Sequence, residues 1–181
     1  MDFELFATIA LRERSFSVLV APGEMFIQAL NLNLQRLKTP FVSGNYSGIL
    51  SKLDRRFTEL EIRRGFTVFQ LMTILEEAHH SLINFEHDPM LYEDAAEMVE
   101  WVSHALGDAS KDAAVLLYSP AVDPFLEDLM KNADRVFYFD EGPIAEPKVI
   151  AKTLPKTQRD QTILGAFSCA DRPHNAPGDR G

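Results

Sequence analysis

A single cysteine, Cys169, stands in the 181 residues. It excludes an internal disulfide framework and suits a reducing compartment. Long apolar runs are missing as well, since none approaches the roughly 20 residues that a bilayer-spanning helix needs. The amino terminus, MDFELFATIALRERSF, has neither a basic leading region nor a small-residue cleavage site, so no signal peptide is expected. The expected compartment is the cytoplasm. Also absent are a G-x-S-x-G nucleophile elbow, a Cys–His pairing and a glycine-rich dinucleotide fingerprint. No internal repeat is found either. Catalysis draws little support from these absences.

What is present is the composition of a globular domain, 46% hydrophobic and 25% charged, with length for one core and not two. The net charge of −9 is unevenly spread. Residues 143–181 hold six Lys/Arg against four Asp/Glu, a balance of +2, which leaves −11 for residues 1–142. An acidic core repels nucleic acid phosphates, so direct nucleic-acid binding is expected to be weak or absent. The small basic clusters, Arg12 with Arg14, Arg55-Arg56 and Arg63-Arg64, read as solvated surface.

Short apolar runs alternate with helical patterns along the chain. Strands are expected at 15–21, 40–43, 59–62, 81–86, 113–119 and 135–140. Helices are expected at 24–38, 67–79, 93–107 and 123–132, where apolar residues such as Val68, Leu71, Met72 and Leu75 recur at helical steps. Thr67 and Asp123-Pro124 supply helix starts. Strand–helix alternation with continuous apolar strands predicts a mainly parallel sheet covered on both faces. After Gly142 come five of the ten prolines and no long period, so a boundary is placed near 142–150. Residues 143–181 are expected to be a proline-bearing, flexible and largely disordered tail.

Two stretches carry a more specific likeness. ELEIRRGFTVFQLMTILEEAHHSLINFE (59–86) and AAVLLYSPAVDPFLEDLMKNADRVFYFD (113–140) resemble the RecA-like recombinase superfamily, in particular the archaeal recombinase paralogues and circadian-ATPase relatives. The resemblance covers roughly residues 15–140. It implies a RecA-like three-layer α/β core over residues 1–142, with a parallel sheet flanked by helices.

The departures from that family are as informative. A phosphate-gripping loop reads G-x-x-x-x-G-K-[ST], so that backbone N–H groups curl round the phosphates, a lysine reaches them and a hydroxyl holds Mg²⁺. The equivalent turn here contains Pro22, Gly23 and Glu24, with no Lys, Ser or Thr through Phe26. Pro22 lacks a donor, and the Glu24 carboxylate competes with a phosphate for the helix N-terminus. Where the family places its metal-orienting aspartate stands Glu86, followed by His87 and Asp88. These three read as a polar loop at a strand end. Together with His79 and His80 they form the densest group of potential metal ligands, but adjacent helical histidines point about 100° apart, and a solvated helix end and loop is expected. Glu76-Glu77 and Glu93-Asp94 read as exposed helix faces. No metal, cofactor or catalytic residue is assigned. Phe3, Phe6 and Ile9 form a short apolar stripe expected to pack on the core; the alternative is the aromatic segment that, in recombinases, docks on the neighbouring protomer, which it loosely resembles.

The tail holds the sharper motif. In RDQTILGAFS, Gln161, Leu164 and Phe167 follow Q-x-x-[ILM]-x-x-aromatic, which resembles the sliding-clamp (PCNA) interaction motif, with Ser168 in place of a second aromatic. One helical turn would put Leu164 and Phe167 into an apolar pocket, with Ile163 adding contact and Gln161 hydrogen-bonding beside it. Lys152, Lys156 and Arg159 suit an acidic partner. The competing reading folds the same apolar residues back on the core.

Three functions follow as expectations. The leading one is a non-catalytic RecA-like adaptor in DNA replication or repair, tethered to the clamp by its tail and meeting other replication or repair proteins through its core. The second is a divergent Mg²⁺-dependent nucleotide hydrolase using Glu86 and Asp88. The third is a homo-oligomeric scaffold unrelated to DNA.

Overall fold

Runs that are apolar on both faces gain most by lying inside a covered sheet, and that is where they are found. The computed structural model describes residues 3–6, 9–33, 39–44, 46–54, 60–139 and 148–150. A short antiparallel pair, β1 (Phe3–Phe6) and β2 (Ile9–Leu11), precedes β3 (Ser15–Val20) and α1 (Gly23–Asn33). Then come β4 (Thr39–Ser43), β5 (Leu60–Arg64), α2 (Val68–Glu76), β6 (Leu82–Glu86) and α3 (Val99–Ala109). The order closes with β7 (Ala114–Ser119), α4 (Pro124–Leu129), β8 (Arg135–Tyr138) and β9 (Lys148–Ile150).

The main sheet runs β5-β4-β6-β7-β3-β8-β9, parallel except for β9, which is antiparallel to β8. Side chains alternate between two cores, as the period of a strand requires. Val18, Ile83, Val115 and Val136 face a core with α2, α3 and α4. Leu19, Leu82, Leu116 and Phe137 face the opposite one with α1, Ile9 and Leu11. All six residues of β3 and of β7 are buried, whereas β5 at the edge is largely exposed. This is the mainly parallel, helix-flanked α/β architecture that the sequence predicts. Both expected caps form. The Thr67 side chain accepts from Gln70 N at 3.2 Å, and Asp123 accepts from Phe125 N and Leu126 N at 2.9 and 3.0 Å, with Pro124 opening the helix.

Three differences stand out. The helix expected from residue 93 starts at Val99; before it the chain makes two tight 3₁₀ turns, 89–91, which Asp88 caps, and 96–98. Phe3, Phe6 and Ile9, read from sequence as an apolar stripe, lie on two strands, 3–6 and 9–11, that pair antiparallel, and Ile9 is buried in the α1-side core. Beyond residue 142, in the segment expected as tail, Lys148–Ile150 extends the sheet as β9.

Candidate functional site

In open parallel sheets ligands settle at the C-terminal strand ends, where neighbouring connections run in opposite directions. Here β3 leads through α1 to β4 on one side, and β7 leads through α4 to β8 on the other, so the divergence falls between β3 and β7. Pro22, Gly23 and Glu24 stand at this place. Only Ala21 and Pro22 separate β3 from α1. The helix begins at once, with Met25 N and Phe26 N both donating to the Pro22 carbonyl at 3.1 and 3.3 Å. Ala21 N donates to the Ser119 carbonyl at 3.2 Å, and Pro22 has no N–H. Glu24 pairs with Lys52 at 2.6 Å across the first turn of α1.

A side chain fills the space against this turn. Tyr118, at the end of β7, stacks on Phe26 with ring centres 4.0 Å apart and planes 17° from parallel. Its hydroxyl donates to the Ala21 carbonyl at 3.3 Å. Burial, with the Glu86 charge adding to it, pushes this phenol up to about 12. The short turn, the committed donors, the carboxylate and the aromatic stack do not fit a triphosphate with its Mg²⁺ in the usual mode.

Glu86 ends β6, one strand removed from β3. The expectation of a solvated loop at 86–88 is corrected here: Glu86, His87 and Asp88 are only 6%, 5% and 5% exposed. The Glu86 carboxylate accepts from the Ser47 hydroxyl and from Gly48 N at 3.0 Å, fastening the loop after β4. Burial nevertheless outweighs these donors and raises its carboxyl above the usual range. Asp88 accepts from Met90 N at 3.1 Å and Tyr46 N at 3.4 Å, capping a 3₁₀ turn and holding the same loop.

His87 reaches the other way. Its Nε2 lies 2.7 Å from Asp123 Oδ2, so a neutral imidazole carries its proton on Nε2 and donates it to the carboxylate that caps α4. Burial lowers the His87 pKa despite the attraction of Asp123. Tyr92 lies against the imidazole, centres 5.9 Å apart, and burial raises its phenol far above the ordinary value. Among the described residues, His87 Nδ1 and the Tyr92 hydroxyl have no hydrogen-bond partner. The group thus works as a set of ties between strand ends and loops. His79 is exposed and His80 turns to Glu61 at 3.3 Å, away from 86–88. Among the described residues no group of three or more His, Cys, Asp or Glu side chains is arranged to hold a metal ion.

The tail residues Gln161, Ile163, Leu164 and Phe167 lie outside the described residues. Tyr118, Lys52, Ser47 and the His87–Asp123 contact are missing from the sequence reading. Only Tyr118 leaves a trace there, as a bulky aromatic closing an otherwise aliphatic strand.

Fold and site together define an α/β domain with a mainly parallel, helix-flanked sheet and a two-residue turn between β3 and α1. The crystal structure of the flagellar accessory protein FlaH from Methanocaldococcus jannaschii shares this fold, with a TM-score of 0.57 over 82% of this chain and 86% of that one, at 10% identity. An uncharacterized protein of Archaeoglobus fulgidus is 32% identical over 121 residues, which are 66% of this chain and 62% of the relative's length. No family model matches the sequence.

Proposed function

We propose that this chain is a non-catalytic RecA-like adaptor, a scaffold that binds other macromolecules rather than turning over a nucleotide. The observation that carries the reading is the two-residue connection from β3 to α1, packed against the Tyr118–Phe26 stack. A loop that short has too few N–H groups to encircle a phosphate. The hydrolase alternative needs Glu86 and Asp88 on a metal, and both carboxylates are instead engaged with the 46–48 loop. Support for a docking role comes from the loops after β4, β5 and β6, neighbours at one end of the sheet. They present Tyr46, Phe66 and Met90, each more than half exposed. FlaH, with the same fold, is described as an accessory protein.

Thermal melting with and without ATP–Mg²⁺ tests this. A ligand at a hundredfold excess over its Kd adds about 2.7 kcal/mol of stability, so binding is easily read. An unchanged Tm is expected, and a rise that grows with nucleotide concentration overturns the reading.

The finer proposal places the adaptor in DNA replication or repair, tethered to the sliding clamp through Gln161, Ile163, Leu164 and Phe167. It is supported by the spacing of those residues and by the basic run Lys152, Lys156 and Arg159 upstream. Calorimetric titration of the full chain with the cognate clamp is expected to show binding that Gln161→Ala and Phe167→Ala abolish. Equal binding by the variants, or none by the wild type, removes the clamp from the account.

A further inference from the structure

Between the C-terminal half of α2, the 78–81 connection and one face of α3 lies a groove of ≈ 790 Å³. Met72, Leu75 and Ala105 make its apolar floor, and Trp101 stands at its side, 63% exposed. Glu76, Asp108 and Asp112 bring carboxylates to its rim beside the imidazoles of His79, His80 and His104, Asp108 being also bonded to Lys111 at 2.7 Å. An apolar floor with an acidic rim suits a short amphipathic segment that has a basic flank.

The geometry points to an occupant in the same chain: the C-terminal segment 151–168, seated in cis with Ile163, Leu164 and Phe167 on the groove floor. Its chemistry is complementary. Residues 151–159 hold Lys152, Lys156 and Arg159 and no acidic residue. In a helical turn Phe167 would neighbour both Ile163 and Leu164, which precede it by four and three residues. Its reach is sufficient as well. β9 runs antiparallel to β8, with Lys148 opposite Tyr138 and Ile150 opposite Val136, so the chain leaves it heading for the N-terminal end of the parallel strands. Residues 78–81, before β6, and Asp112, before β7, lie at that same end. From β9 to β6 there are four strand steps, about 19 Å at the usual spacing. The ten residues 151–160 span up to about 33 Å when extended.

A short tether of this kind gives an effective concentration of about 1 mM. Even a groove with an intrinsic Kd of about 0.1 mM would then be filled most of the time. The occupied groove would compete with any partner that uses the same face of the tail. The inference does not depend on the clamp reading, and its test contains no clamp.

The chain carries one tryptophan, Trp101, and one cysteine, Cys169, two residues beyond Phe167. Energy transfer from Trp101 to an acceptor dye on Cys169 of the full-length chain therefore reads docking directly. Strong transfer that does not change with protein concentration is expected. Most of it should be lost in the Ile163→Ser, Leu164→Ser, Phe167→Ser triple variant and, separately, in the Glu76→Lys, Asp112→Lys variant. The two variants alter opposite sides of the contact, so misfolding of one does not decide the result. Weak transfer in the wild type, or transfer unchanged by both variants, overturns the inference. Transfer that appears only as concentration rises also overturns it, because the occupant is then a second copy.

Discussion

Gly44 sits where the chain leaves β4 and passes against Asp88. A β-carbon added there would stand 2.3 Å from Asp88 Oδ2 and 2.5 Å from its Cβ, so the clash reaches the root of the side chain and rotation cannot relieve it. Gly44→Ala is expected to lose about 1–3 kcal/mol, the usual cost of overpacking, as measured by urea unfolding. His87 gives the second residue-scale expectation. Its folded pKa lies below 6.5, so between the two values the unfolded chain takes up a proton that the folded chain refuses. Stability therefore rises with pH through that window and is lost as pH falls through it. Glu86 acts in the opposite sense: its folded pKa lies above 4.5, and stability falls as pH rises between those values. Denaturant titrations from about pH 5 to about pH 8 should show a smaller loss on acidification for His87→Gln than for the wild type. Glu86→Gln should gain relative to the wild type as pH rises above 4.5.

At the scale of elements, two interactions hold the turn between β3 and α1, and they differ in weight. The Glu24–Lys52 pair is more than half exposed on both sides, and such pairs contribute about 0–1 kcal/mol. The Tyr118–Phe26 stack is buried, and truncating a buried aromatic costs about 3–5 kcal/mol. Tyr118→Ala should therefore destabilise the protein by that amount, while Lys52→Ala shifts the urea midpoint slightly. The contrast explains what could be read from the sequence. Pro22, Glu24 and the missing lysine are local facts, and the departure from a phosphate-gripping loop is legible from them alone. Tyr118 packs there from 97 residues away, and His87 meets Asp123 from 36 residues away. Partners that distant become visible only when β7 is laid between β3 and β6. The strands themselves were legible, because Val18, Ile83 and Val115 belong to short, mostly apolar runs rich in strand-forming residues. β9 was not, since three residues, Lys148–Ile150, gain their strand character from the waiting edge of β8.

Across the whole molecule, residues 1–142 carry a net charge of −11 and residues 143–181 a net charge of +2, so the two parts attract each other electrostatically. The exposed Tyr46, Phe66 and Met90 lie on loops at the C-terminal strand ends, and the acidic groove beside Trp101 lies toward the other end of the sheet. Under the proposed adaptor role these surfaces, and not the turn between β3 and α1, carry the function. Calorimetric titration of the full-length chain with ATP–Mg²⁺ tests that claim most directly. The account predicts no saturable heat even at millimolar nucleotide. A saturable one-to-one isotherm that weakens when Mg²⁺ is removed would contradict it.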